Sequence, residues 1–194
     1  MEKKLQIFVS STYIDMIDER QAVVKAILDE GHVPAGMELF KGGKSQLKTI
    51  KKWIDDSDIY LLILGGRYGS IDENSHLSYI QLEYEYAQKR NMPVFAILLE
   101  ENYLLEKAIK LGKDNVFETG EKIKAYNSFK NYVKTHIVRF ANNIDSLKYQ
   151  VNALLRDVYV DNDYKLIGWV RGNKTLDDLS IFTEEDLKKI NENI

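Results

Sequence analysis

One carboxylate in this chain stands where a helix should turn only apolar side chains. Ser78-Tyr79-Ile80-Gln81-Leu82-Glu83-Tyr84-Glu85-Tyr86-Ala87 reads as the opening of a helix. At about 100° per residue, Tyr79, Ile80, Tyr84, Tyr86 and Ala87 share one arc, and Glu83 falls inside it. Gln81, Glu85, Gln88 and Lys89 fall on the opposite side. A carboxylate facing the protein is costly unless it is paired, hydrogen-bonded or used. Used, it would stabilise or trap a positive centre. Arg20 poses the same question on an earlier helix, near the centre of an arc formed by Met16, Val23, Val24 and Ile27. It suits either a scaffold pair with an acidic group, Glu83 included, or a bound phosphate.

Two loops belong with these residues. Ser10-Ser11-Thr12 ends an apolar run. It reads equally as a plain strand-to-helix turn and as a loop offering hydroxyls and N–H groups to a phosphate. Gly65-Gly66-Arg67-Tyr68-Gly69-Ser70 ends another. Its glycines suit close approach of a ligand, with Arg67 for an anion and Tyr68 for a flat ring, or else a tight turn.

The elements that must position these residues alternate. Leu5 to Val9 is a short strand, followed by a helix from Met16 to Glu30 with Asp15 as its expected N-cap. His32 to Met37 is a weaker strand. Ser45 is expected to cap a helix carrying Leu47, Ile50, Trp53 and Ile54. Asp58 to Leu64 and Pro93 to Leu99 are nearly continuous apolar runs, as in strands buried on both faces. Helices are expected over Tyr103 to Leu111 and Glu121 to Thr135, a fifth strand over His136 to Ala141, and an amphipathic helix from Ile144 to Val158. A short segment Ile167-Gly168-Trp169-Val170 and a small helix capped by Thr183 close the chain. The pattern predicts an α/β fold, a doubly wound parallel sheet of about five strands in flavodoxin-like order 2-1-3-4-5. In such sheets ligands bind beyond the carboxyl ends of the strands at the switch point. Here that is the crevice between the first and third strands, where both loops and the Glu83 helix meet.

Composition narrows the classes. The 194 residues, 44% hydrophobic and 29% charged, suit one globular domain with appendages. A formal net charge of −3 with no dominant basic face argues against nucleic acid as partner. Without cysteine there is no disulfide or thiolate chemistry, and the three histidines lack metal-ligand spacing. No metal is expected. No apolar run is long enough for a signal peptide or a membrane span, so the expected setting is cytoplasmic. Gly43-Lys44-Ser45 mimics the end of a P-loop, but Glu38 stands where the motif needs glycine. His76 reads as a solvated loop residue.

The same segments carry a resemblance. Ile7-Phe8-Val9-Ser10-Ser11-Thr12-Tyr13 with Asp15, Glu19 and Arg20 resembles the opening of a bacterial TIR-like family catalogued as a domain of unknown function. Leu64-Gly65-Gly66-Arg67-Tyr68-Gly69-Ser70, then Ser78-Tyr79 and Glu83-Tyr84-Glu85-Tyr86-Ala87, match its next blocks. Leu166-Ile167-Gly168-Trp169-Val170-Arg171 resembles a closing block. The resemblance touches most of residues 4–173, and implies one TIR-like domain over 1–173 (core 4–100, completion 101–173) with a tail at 174–194. Such domains often precede signalling NTPase modules. None follows here, so a signal is expected from a partner or from the site itself.

The family is also similar to nucleoside 2-deoxyribosyltransferases, in which a glutamate followed by x-x-Tyr-Ala attacks the sugar carbon, a pattern that Glu83 fits. The resemblance therefore implies cleavage of an N-glycosidic bond, with NAD as candidate substrate, no cofactor required, and a role in bacterial signalling or phage defence. Glu83 would be catalytic. Ser10, Ser11, Thr12, Arg20, Gly65, Gly66, Arg67 and Tyr68 would form the ligand site. Two alternatives stay open: a nucleotide-sensing or assembly module without turnover, and a nucleoside deoxyribosyltransferase. The expected partners are a nucleotide or nucleoside, and a second copy of the chain or a signalling or defence protein.

Overall fold

A computed structural model of the protein describes residues 3–36, 46–160, 164 and 166–170. Five strands form one parallel sheet: β1 (Gln6–Ser10), β2 (Val33–Gly36), β3 (Ile59–Leu64), β4 (Val94–Leu99) and β5 (Val138–Ala141). Their order is β2-β1-β3-β4-β5, the flavodoxin-like order expected from the sequence. β1 and β3 are central neighbours, with Phe8 opposite Tyr60 and Ser10 opposite Leu62.

The helices are α1 (Ile17–Asp29), α2 (Gln46–Asp55), α3 (Tyr79–Lys89), α4 (Glu101–Leu111), the single turn α5 (Lys113–Val116), α6 (Lys122–Lys134) and α7 (Ile144–Val160). Side chains alternate along a strand, so each central strand feeds two cores. Ile7, Val9, Ile59, Leu61 and Ile63 pack with Val23 and Ile27 of α1, Leu104 of α4, Val116 of α5 and the Leu147, Val151, Leu154 stripe of α7. Phe8, Tyr60, Leu62 and Leu64 pack on the other face with Ile50 and Ile54 of α2, Ile80 and Tyr84 of α3, and Phe129 of α6. This explains the continuous apolar runs: neither face of β1 or β3 meets water.

Several boundaries differ from expectation. A 3-10 turn, Ile14–Met16, precedes α1, and the helix begins at Ile17 with no side-chain cap at Met16. Asp15 is thus not the N-cap. It is buried inside the turn and accepts the Thr12 hydroxyl at 2.9 Å. Ser78 does cap α3, accepting from the Gln81 N–H. Met37, Ser45, Thr183 and the tail 174–194 lie outside the described residues.

Two ties fix the poles of the sheet. At the amino end, Asp58 Oδ2 accepts from the Gln6 N–H at 2.8 Å and Oδ1 from the Gly168 N–H at 2.7 Å. Trp169 pairs there with Lys4 in an antiparallel bridge. At the carboxyl end, Gly66 pairs with Phe117, and its carbonyl accepts from the Glu118 N–H at 2.8 Å. A Cβ on Gly66 would meet the Val116 carbonyl oxygen well inside contact distance. Gly66→Ala should therefore destabilise the fold by about 1–3 kcal/mol, the usual cost of overpacking. Urea unfolding of the variant reads this directly, and an unchanged midpoint would deny the close approach.

Candidate functional site

The loops after β1 and β3 and the first turns of α3 and α6 enclose an open cavity of about 360 Å³. That volume suits a small organic ligand. Ser11 to Asp15 form one wall, and Arg67, Gly69 and Ser70 the facing one. Tyr79 and Ile80 contribute from α3 and Lys122 from α6. The cavity sits beyond the carboxyl ends of the two central strands, as the strand order requires.

The expected residues distribute unevenly around it. Ser11, Thr12 and Arg67 line the cavity. Ser10 and Glu83 lie behind it. Glu83 is one turn further along α3 than Ile80 and only 1% exposed. Its Oε2 accepts the Ser10 hydroxyl at 2.6 Å, while Oε1 is buried without a hydrogen-bond partner. Burial pushes the carboxyl up from an ordinary value near 4.5 to about 7, against the pull of the Ser10 hydroxyl and the Arg20 charge. Arg20 is buried as well, and its Nη1 donates to Ser11 Oγ at 2.8 Å.

Gly65, Gly66 and Tyr68 face protein. A Cβ on Gly65 would sit 2.8 Å from Met16 Sδ, and the Gly65 carbonyl accepts the Tyr126 hydroxyl at 2.6 Å. The Tyr68 ring packs near Phe129, its hydroxyl donates to Gln81 Oε1 at 2.6 Å, and its N–H donates to Glu118 Oε2 at 2.8 Å. These contacts hold the loop in shape and leave Arg67, Gly69 and Ser70 to face the cavity. His76 is an exposed loop residue.

Other participants were not named as site residues from the sequence. Tyr60 is fully buried with its hydroxyl beside Glu83; burial and the Glu83 charge push the phenol well up, with Ser10 pulling the other way. A tyrosine inside an otherwise aliphatic run was the available signal. Lys122 also lines the cavity, and its Nζ donates to the Gly69 carbonyl. Asp15 is the cavity's own carboxylate. Burial raises it, opposed by the Thr12 hydroxyl and by the charges of Arg67 and Lys107. Glu19 is fully buried in α1 and accepts from Tyr103 at 2.8 Å and from Lys107 at 2.6 and 2.5 Å. That pair fastens α4 to α1. Among the described residues, no group of three or more His, Asp or Glu side chains is placed to hold a metal, and no helix is long and apolar enough to cross a membrane.

The raised Glu83 carboxyl makes stability depend on pH with a defined sign. The folded state holds its proton more tightly than the unfolded chain. Its contribution is therefore fully present below pH 4.5 and is lost as pH rises through about 7. The loss is about 3 kcal/mol. Glu83→Gln stays neutral throughout, so its stability relative to the parent should improve by that amount between pH 4.5 and 7.5. Paired denaturation curves across this range test it; a difference that moved the other way would mean that Arg20, not burial, governs the carboxyl.

No curated protein matches the chain. Among solved structures it is similar to the TIR domains in the structure of the activated Roq1 resistosome directly recognizing the pathogen effector XopQ. The identity is 16%, over 79% of this chain and 99% of that one, with a TM-score of 0.48. It is also similar to a mutant flavo di-iron protein from Thermotoga maritima, at 11% identity over 81% of this chain and 36% of that one, with a TM-score of 0.46. The model of a family described as a domain of unknown function, DUF4062, matches residues 6–156. Since that span takes in all five strands, the cavity and Glu83, the chain belongs to the DUF4062 family.

Proposed function

We propose that this domain is a TIR-like nucleotide-processing module that cleaves an N-glycosidic bond, with NAD as the candidate substrate. The observation that carries the proposal is Glu83: a buried carboxylate with one unpartnered oxygen, raised to about 7, directly behind a ligand-sized cavity. Loss of nicotinamide needs little machinery. The leaving base is neutral, so no strong general acid is required. The transition state resembles an oxocarbenium ion, which one carboxylate can stabilise or capture until water takes the anomeric carbon and gives up a proton. Ser10 orients Glu83, Arg20 supplies positive charge behind it, and Arg67 meets a phosphate. For the ligand to reach Glu83, the Ile80 wall of the cavity must yield. The expected setting is the cytoplasm of a bacterium, in signalling or defence.

A second reading is a nucleotide-sensing or assembly module without turnover. Two observations favour it. Glu83 is sealed from solvent, and Tyr13 and Ile14 at the lip of the cavity are exposed with Ile17 nearby in sequence, an apolar surface suited to a second copy or a partner protein.

Incubation with NAD and assay of free nicotinamide separates the readings. In the catalytic one, Glu83→Gln abolishes base release while ligand binding persists. Glu85→Gln changes neither, because Glu85 is only half-buried and accepts from Gln81 on the outer side of α3. Turnover should rise with pH through about 7, because the ionised carboxylate is the working form. Arg67→Ala should weaken binding of a phosphate-bearing ligand by roughly 1.5–3 kcal/mol. Equal turnover by parent and Glu83→Gln removes the catalytic reading, and binding without any base release supports the sensor.

A further inference from the structure

The serine and threonine hydroxyl protons at the end of β1 and in the loop after it are all committed. Ser10 gives its proton to Glu83 Oε2. Ser11 accepts from Arg20 and gives its own proton to the Thr12 carbonyl at 2.6 Å. Thr12 gives its proton to Asp15 Oδ2. A hydroxyl has one proton and two lone pairs, and an ionised carboxylate only accepts. The side chains of Ser11, Thr12 and Asp15 that face the cavity therefore present lone pairs. A phosphate finds no free side-chain donor among these three. Donors and positive charge come instead from Arg67 on the facing loop and Lys122 at the start of α6. The cavity is polarised: Ser11, Thr12 and Asp15 turn acceptors to one side, and Arg67 and Lys122 supply cations on the other.

We propose that Asp15 is the ligand-selecting residue of this cavity: it accepts hydrogen bonds from the hydroxyls of a sugar whose phosphate rests on Arg67 and Lys122. The substrate class is then a phosphorylated riboside, held by its sugar on the β1 side and by its phosphate on the β3 side. This deepens the reading of the cavity as a nucleotide site. Asp15 is 6% exposed. A carboxylate so far from water gains when ligand hydroxyls replace lost solvation. The Thr12 bond fixes its orientation before the ligand arrives.

The test is calorimetric titration with three probes that carry no base: ribose 5-phosphate, methyl 2,3-O-isopropylidene-riboside 5-phosphate with its hydroxyls capped, and inorganic phosphate. The parent protein should bind ribose 5-phosphate at least about tenfold more tightly than either other probe, the least that one hydrogen bond to a charged group is worth. Asp15→Asn should erase that preference and keep phosphate binding. Lys122→Gln should weaken all three probes by a similar factor. Equal binding of capped and uncapped sugar by the parent overturns the proposal, whether or not Asp15→Asn folds. So does an undiminished preference in a folded Asp15→Asn, and so does failure of all three probes to bind. Because no probe has a base to lose, the outcome is independent of turnover. A protein that selects ribose 5-phosphate through Asp15 yet releases no nicotinamide loses the glycosidase reading and keeps this one.

Discussion

The desolvation of Glu83 is the constraint around which the carboxyl end of the sheet is arranged. A carboxylate taken out of water must be met by polar groups, and its neighbours do this in part. Ser10 donates to one oxygen, and Arg20 contributes charge from the α1 side. These do not balance the cost, since the carboxyl titrates near neutrality rather than as an ordinary acid. The remainder has to be supplied by packing. The aromatic cluster of Phe8, Tyr60 and Tyr84 around it is among the most completely buried of the described residues. An energetically unfavourable group thus sits where the surroundings are least able to relax, which is how a strained site persists.

The cavity depends on a second line of contacts through the opposite face. Glu19 holds α4 by Lys107 and Tyr103. α4 runs through Gly112 into α5, and α5 delivers Val116 and Phe117 against Gly66. The loop that carries Arg67 is therefore positioned from α1, the same helix whose preceding turn carries Asp15. Both walls of the cavity trace back to one helix.

Much of this was legible in the sequence, for identifiable reasons. β1, β3 and β4 were readable because burial on both faces demands unbroken apolar runs, and the strand order followed from the alternation of strands and helices. Glu83 and Arg20 were found as charges inside apolar arcs, and both prove buried. What could not be read were relations between distant segments. The loop glycines Gly65 and Gly66 suggested room for a ligand, but the space is taken by Met16 and Val116, which lie far away in sequence. Tyr68 looked like a stacking platform, yet it is an internal strut bonded to Gln81. Asp15 was read as a helix cap because its position before an apolar run fits that role. The extra 3-10 turn instead places it in the cavity wall. Local pattern reports which way a side chain faces, whereas its partner is a property of the folded chain.

The double acceptance by Asp58 has an architectural consequence. One carboxylate gathers the backbone entering β1 and the segment that follows α7, and the Lys4–Trp169 bridge lies beside it. The backbone at Lys4 and the backbone at Gly168 and Trp169 are thus held side by side at the amino pole, the end of the sheet opposite the cavity. A single side chain closes the described fold into a ring, and the closure lies at the pole away from the ligand cavity.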